Sequence, residues 1–97
     1  MRKAAEKYEK NLREDLQDPC EAAEYLNAAL EDGSPEVFLM ALKDVALARG
    51  IADMARETKL NRENLYRILS RRGNPKLKSL CCVLHSVGLK LSVAVEN

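Results

Sequence analysis

The chain has little of several residue types that mark whole classes of protein. It contains no Trp, 4 Gly and 3 Pro among 97 residues, so we do not expect a collagenous, mucin-like or wholly disordered chain. Its longest apolar runs extend for only a few residues, so we expect no membrane-spanning helix. The charged N-terminus leads into no apolar region of the kind that a signal peptide needs. We therefore predict a cytoplasmic protein.

Cysteine and histidine are also scarce. The three Cys are an odd number and Cys81 and Cys82 are adjacent, which suits a reducing compartment rather than a disulfide framework. Cys81 and His85 have the i, i+4 spacing of a helical metal site, but such a site usually needs three or four ligands and only Cys20 could join them. We interpret Cys81 as a small core residue and predict no metal and no cofactor. A single His, no Gly-rich phosphate loop and no paired acids predict no catalytic residue and no enzyme.

Charge is distributed unevenly along the chain. Residues 1–32 carry five Lys/Arg and nine Asp/Glu, a balance of −4, whereas residues 33–97 carry 11 and 6, a balance of +5. Within residues 56–78 the count is 8 basic against 2 acidic residues, or +6. One interpretation is two faces with different partners, and the other is a set of ordinary solvated helix surfaces.

What remains is the composition of a small helical domain, with 46% hydrophobic and 32% charged residues. Helix starts are predicted at Asp18-Pro19, Ser34-Pro35, Asn61 and Asn74-Pro75, and stops at the four glycines. The apolar positions with helical spacing are Ala22, Ala23, Leu26, Ala29 and Leu30; Phe38, Ala41, Leu42 and Val45; Ile51, Met54 and Ala55; Leu65, Ile68 and Leu69; and Leu77, Leu80, Cys81 and Leu84.

The two ends of the chain have weaker or different patterns. Tyr8, Leu12 and Leu16 could line a helix, but residues 1–17 are rich in charge and have little to bury. Two further interpretations are therefore an exposed arm and a helix that forms only on binding. At the other end Leu89, Leu91, Val93 and Val95 alternate with more polar residues, which is the period of a β-strand. The patterns together predict a mainly α protein of five helices, with an N-terminal helical arm and a short C-terminal β-strand.

Residues 51–70 have the pattern of a helix-turn-helix. Two short helices surround the turn at Thr58-Lys59-Leu60, and the small Ala55 lies where the helices must approach closely. Leu60 leads into the core, while Leu65 and Ile68 hold the second helix on the first. We therefore predict two parts of the chain. Residues 1–33 form an acidic arm or helix that binds a partner, and residues 34–97 form a helix-turn-helix DNA-binding domain with the C-terminal strand.

The outer side of the second helix is predicted to meet DNA. Arg62 and Arg67 can reach guanine edges or phosphates, and Tyr66 can pack on a thymine methyl group or bond a phosphate. The basic residues that follow, including Lys78, suit contacts with the DNA backbone. The alternative is a polar helix face without a ligand. The predicted DNA-binding residues are Lys59, Asn61, Arg62, Glu63, Tyr66, Arg67, Ser70, Arg71, Arg72 and Lys76.

Several blocks of the chain, in order, also resemble a known family. They are Asp18-Pro19, residues 23–33 (AEYLNAALEDG), 44–50 (DVALARG), 60–67 (LNRENLYR), 73–75 (GNP) and 87–93 (VGLKLSV). Over about residues 18–95 the sequence is similar to the probable addiction-module antidote proteins, HigA-like antitoxins with a lambda Cro/repressor-type helix-turn-helix. Lys59 departs from helix-turn-helix motifs, which usually have Gly there because φ tends to be positive.

The resemblance implies a lambda-repressor-like domain and the function of an antitoxin in a type II toxin-antitoxin module. Such a protein binds and neutralises a RelE/ParE/HigB-like toxin, and as a dimer on double-stranded operator DNA it represses its own operon. The acidic first third suits a small basic toxin. The alternatives are a stand-alone helix-turn-helix transcriptional regulator and a protein-interaction module that no longer binds DNA.

A homodimer is also expected from the C-terminal segment. A lone apolar strand leaves its N–H and C=O groups unpaired, and a second copy of Leu89, Leu91, Val93 and Val95 would satisfy them. The rival interpretations are that the strand packs on its own domain or pairs with the toxin.

Overall fold

The structure, a computed structural model, describes the backbone of residues 2–70 and 72–97 and the side chains of residues 6–70 and 72–97. The predicted site residue Arg71 lies outside the described residues. Six helices occur in the described part of the chain: α1 (Arg2–Leu16), α2 (Pro19–Glu31), α3 (Pro35–Arg49), α4 (Ile51–Thr58), α5 (Arg62–Ile68) and α6 (Leu77–Ser86). The mainly α fold is therefore confirmed.

Three of the four predicted helix starts are confirmed by their capping bonds. The Asp18 carboxylate accepts from the backbone N–H of Cys20 at 2.9 Å, and the Ser34 hydroxyl accepts from the N–H of Val37 at 3.5 Å. These bonds satisfy donors that the first helical turn leaves unpaired. The fourth start is wrong, because α6 begins at Leu77 rather than at Asn74-Pro75. Residues 73–76 have no regular secondary structure, and Lys76, with φ −66° and ψ 148°, is the residue that precedes the first helical turn.

α3 lies at the centre of a single core. It packs against α1, α2 and α4, and α4 in turn packs against α5 and α6. The largest fully buried side chains are Leu42, Val45, Met54, Leu65, Leu69 and Val83. α1 is part of this packing, since Leu16 is buried and Leu12 packs against the core. Gly50 has a φ of 104° and joins α3 directly to α4, a turn that a side chain would strain.

Three residues predicted to face the core are exposed: Leu30, Leu77 and Cys81. On α6 the inward face consists of Leu80, Val83, Leu84 and Val87. Since each helical residue turns about 100° from the one before it, Cys81 lies beside this face and not on it. Leu77 occupies the first turn of α6 and is 67% exposed.

The predicted C-terminal strand is not formed in the single chain. Residues 89–97 have no regular secondary structure. Leu89 packs against the core and its N–H donates to the carbonyl of Leu84 at 2.9 Å, but Val93 and Val95 are 97% and 89% exposed. A strand needs a neighbouring strand for its backbone hydrogen bonds, and the described residues contain none.

Candidate nucleic-acid interface

The turn between α4 and α5 is built by local hydrogen bonds. The Thr58 hydroxyl donates to the carbonyl of Met54 at 2.7 Å and accepts from the N–H of Leu60 at 3.2 Å. Lys59 follows with φ 62° and ψ 18°, so this residue adopts the left-handed conformation for which helix-turn-helix motifs usually have Gly. Asn61 then caps α5, because its Oδ1 accepts from the N–H of Asn64 at 2.7 Å. The change of direction between the two helices is therefore set by four consecutive residues, 58–61.

One side of α5 is buried and the other is exposed. Leu65 and Leu69 are completely buried, and α5 packs on α4. The opposite side presents Arg62, Glu63, Tyr66 and Arg67 to solvent; at about 100° per residue these four lie within an arc of about 140°. The structure thus brings the central residues of the predicted DNA-binding set onto one exposed face, which we call the α5 face.

The predicted residues around the α5 face have different surroundings. Lys59, Asn61, Arg72 and Lys76 are exposed, as is Lys78. Ser70 is half-buried, and its hydroxyl accepts from the N–H of Arg72 at 3.3 Å, so it turns the chain after α5 rather than extending the α5 face.

The segment after α5 folds back tightly. The N–H of Gly73 donates to the carbonyl of Ser70 at 2.8 Å. A Cβ added at Gly73 would lie only 2.9 Å from the carbonyl oxygens of Arg67 and Ser70, so this approach requires glycine. Gly73 therefore lies against the C-terminal end of α5.

The arginines on and around α4 and α5 differ in whether they have an acidic partner. Arg56 pairs with Asp53 on α4, and Arg49 pairs with Glu57 at 3.6 Å. Among the described residues, Arg62, Arg67 and Arg72 form no salt bridge. Their guanidinium groups keep all their donors for water or for a ligand rich in acceptors, such as phosphate or guanine.

A partly buried polar pair between α2 and α3 was not predicted. The Tyr25 hydroxyl on α2 donates to the Asp44 carboxylate on α3 at 2.7 Å. Burial, this bond and the negative charge of Asp44 raise the pKa of Tyr25 to about 12. The two residues are 19 positions apart, and no local spacing rule connects them, so the sequence carried no signal for the pair.

The remaining candidate groups are less organised. Cys81, Cys82 and His85 line an open cavity beside Glu57 and Thr58, and in the described part of the chain no group of three or more His, Cys, Asp or Glu could hold a metal ion. None of the helices in the described residues combines the length and the apolar character needed to cross a bilayer.

The comparison with known families decides what kind of protein carries this fold. A profile of the family described as "Probable addiction module antidote protein" matches residues 6–95. The chain belongs to that family. The chain is also 38% identical over 69 residues, 71% of each chain, to a Haemophilus influenzae protein described as uncharacterized. No solved structure gives a significant match.

Membership confirms the resemblance at the level of the family. It supports the role of an antitoxin in an addiction module, and it implies a toxin as partner. Proteins of this family are generally not enzymes. The lambda-repressor type of fold, the DNA ligand and the homodimer go beyond the family description.

Proposed function

We propose that this antidote represses its own operon through its helix-turn-helix and neutralises a RelE/ParE/HigB-like toxin by direct binding. The observation that carries the DNA-binding half is the α5 face. Arg62, Tyr66 and Arg67 are exposed there, while Leu65 and Leu69 are buried in the core and α5 packs on α4. This is the arrangement in which a lambda-repressor-like domain lays its second helix in the major groove. The function requires no catalytic residue and no cofactor, and it requires a cytoplasmic location.

The side chains of the α5 face suit direct readout of bases. A guanidinium can donate two parallel hydrogen bonds to O6 and N7 of guanine, and the Glu63 carboxylate can accept from N4 of cytosine. Arg72 and Lys76 follow at the end of the helix and suit the phosphates on either side, which position the protein without reading sequence. Lys59 in the turn is exposed and adds a further positive charge.

The homodimer in this proposal is supported by the exposed C-terminal segment. Leu91, Val93 and Val95 are 42%, 97% and 89% exposed, and their backbone N–H and C=O groups would pair in a two-stranded sheet with a second copy. A two-fold dimer would present two copies of α5 to half-sites about one helical turn apart. Autorepression then predicts an inverted repeat in the operator.

Gel-shift titration with the upstream promoter fragment tests DNA recognition. Arg67→Ala is expected to weaken operator binding by about 1–3 kcal/mol if Arg67 reads a base edge. Arg72→Ala is expected to weaken binding to every sequence and to lower the salt slope of log K by about 1. Arg13→Ala is the matched control, because it removes the same charge from α1, which packs on α2 and α3.

Equal and weak binding of the wild type to the promoter and to random DNA of the same length would contradict sequence-specific repression. If the protein then still bound its toxin, the interaction module would be the better description.

Sedimentation of Val93→Pro tests the dimer, because proline removes one backbone donor and bends a strand. An unchanged dimer would exclude the C-terminal segment from the interface.

A further inference from the structure

The outer face of α3 carries apolar side chains that nothing in the described chain covers. Val37, Met40 and Leu47 are 37%, 49% and 38% exposed. Together with Asp44 they occupy positions i, i+3, i+7 and i+10 of one helix, so they share a single side. We call these four residues the α3 ridge. The opposite side of α3, with Leu42 and Val45, is the centre of the core, so the ridge is held on a rigid support.

A groove lies on each side of the α3 ridge. The larger, with a volume of about 400 Å³, separates α3 from α2, and its α2 wall includes Tyr25, Ala28 and Asp32. The smaller, of about 170 Å³, separates α3 from α1, and its α1 wall includes Glu9, Leu12 and Arg13. Asp44 lines both grooves. The surface is therefore an apolar ridge with a carboxylate at the point where two depressions meet.

The charge around the two grooves is predominantly negative. Among the described residues that line them, Asp32, Asp44 and Glu9 are acidic and Arg13 is basic. The bond from the Tyr25 hydroxyl holds Asp44 in place at 2.7 Å, yet a carboxylate has about four acceptor sites, so it can still accept from a cationic partner. α1 and α2 belong to the part of the chain, residues 1–32, whose charge balance is −4.

We propose that the α3 ridge and its two grooves are the docking site for the toxin. The occupant that fits is an amphipathic, basic segment of a protein, with apolar side chains in the grooves and Lys or Arg against Asp32 and Asp44. An apolar centre with a charged rim is the usual anatomy of a specific protein interface, and complementary charge fixes its register. The inference rests on the toxin neutralisation proposed above and gives it a location.

The location has a consequence for the two activities. α3 packs on α1, α2 and α4, whereas the α5 face belongs to a helix that packs on α4. Toxin and operator therefore meet different helices, and a substitution on the α3 ridge leaves DNA recognition intact.

The test uses the full chain and the small basic protein encoded by the reading frame next to this gene, titrated by calorimetry. Met40→Arg puts a positive charge and extra bulk on the α3 ridge, and we expect at least a tenfold loss of affinity for that protein. Leu77→Arg is the matched control, since it adds the same residue at a position on α6 that is 67% exposed, and it retains binding. Thermal unfolding by circular dichroism verifies that both variants fold.

Asp32→Lys provides a second, milder variant. Asp32 is the exposed C-cap of α2, where a cation is favourable to the helix dipole, so the fold is preserved. Rim charges act mainly on the association rate. We therefore expect association to slow by at least threefold, with a smaller effect of added salt than in the wild type.

The outcomes separate this inference from the proposed function. If the wild type does not bind the neighbouring gene product, toxin neutralisation fails and the docking site with it. If the wild type binds and both Met40→Arg and Asp32→Lys bind equally well, only the docking site is wrong. A dimer that dissociates in Met40→Arg would assign the α3 ridge to a second copy of the chain and would also overturn it. Selective loss of toxin binding with unchanged operator binding supports the proposal.

Discussion

Replacing Lys59 by glycine is expected to stabilise the antidote. Lys59 ends α4 with φ 62° and ψ 18°, and a residue with a Cβ in the left-handed region costs roughly 1–2 kcal/mol. Glycine avoids that cost but loses more backbone freedom on folding, by roughly 0.5–1 kcal/mol. The side chain of Lys59 is exposed, so little packing is lost. The net expectation for Lys59→Gly is a gain of about 0.5–1 kcal/mol.

Thermal unfolding measures this gain directly. For a domain of this size it corresponds to a rise in Tm of about 2–8 °C. Lys59→Gln is the matched control, because it removes the charge but keeps the Cβ, and its free energy of unfolding is expected to stay within about 0.5 kcal/mol of the wild type. Both variants remove one positive charge from the turn between α4 and α5, so the proposed operator binding should weaken equally in the two. A lower Tm for Lys59→Gly than for Lys59→Gln would refute the reasoning from backbone strain.

Two further substitutions test the packing around the site. In Gly73→Ala the new Cβ would lie 2.9 Å from two carbonyl oxygens, so the backbone must shift. Urea unfolding should then show a loss of about 1–3 kcal/mol in the free energy of unfolding. An unchanged urea midpoint would contradict the close approach. The pKa of Tyr25 is raised from 10.0 to about 12, so folding favours the protonated phenol. The contribution of this phenol to stability is therefore complete below pH 10.0 and is lost as the pH rises through about 12. Tyr25→Phe should remove this pH dependence and cost about 1 kcal/mol for the lost hydrogen bond; unfolding curves of the two proteins with the same alkaline dependence would contradict the assignment.

Local patterns were sufficient to predict three helix caps and the exposed face of α5. The caps at Asp18, Ser34 and Asn61 are bonds to backbone donors two or three residues further on, so the residues that make them are visible in a short stretch of sequence. The sequence marked Lys59 as a position where Gly is usual, but it did not decide whether this residue takes the left-handed conformation. The exposed position of Arg62, Tyr66 and Arg67 followed from the inward positions of Leu65 and Leu69, because both sets are fixed by one helical period.

The tertiary structure alone decided features that depend on how helices meet. Leu77 and Cys81 satisfied the spacing of an inward face, but α6 is turned so that Leu80, Val83 and Leu84 face the core, and periodicity does not specify that rotation to within one residue. The alternation at residues 89–95 describes a strand, yet a strand forms only where another chain segment supplies hydrogen bonds. The α3 ridge and the Tyr25–Asp44 bond likewise arise from the packing of α1 and α2 beside α3, because contacts between residues far apart in sequence are set by the whole fold and by no local pattern.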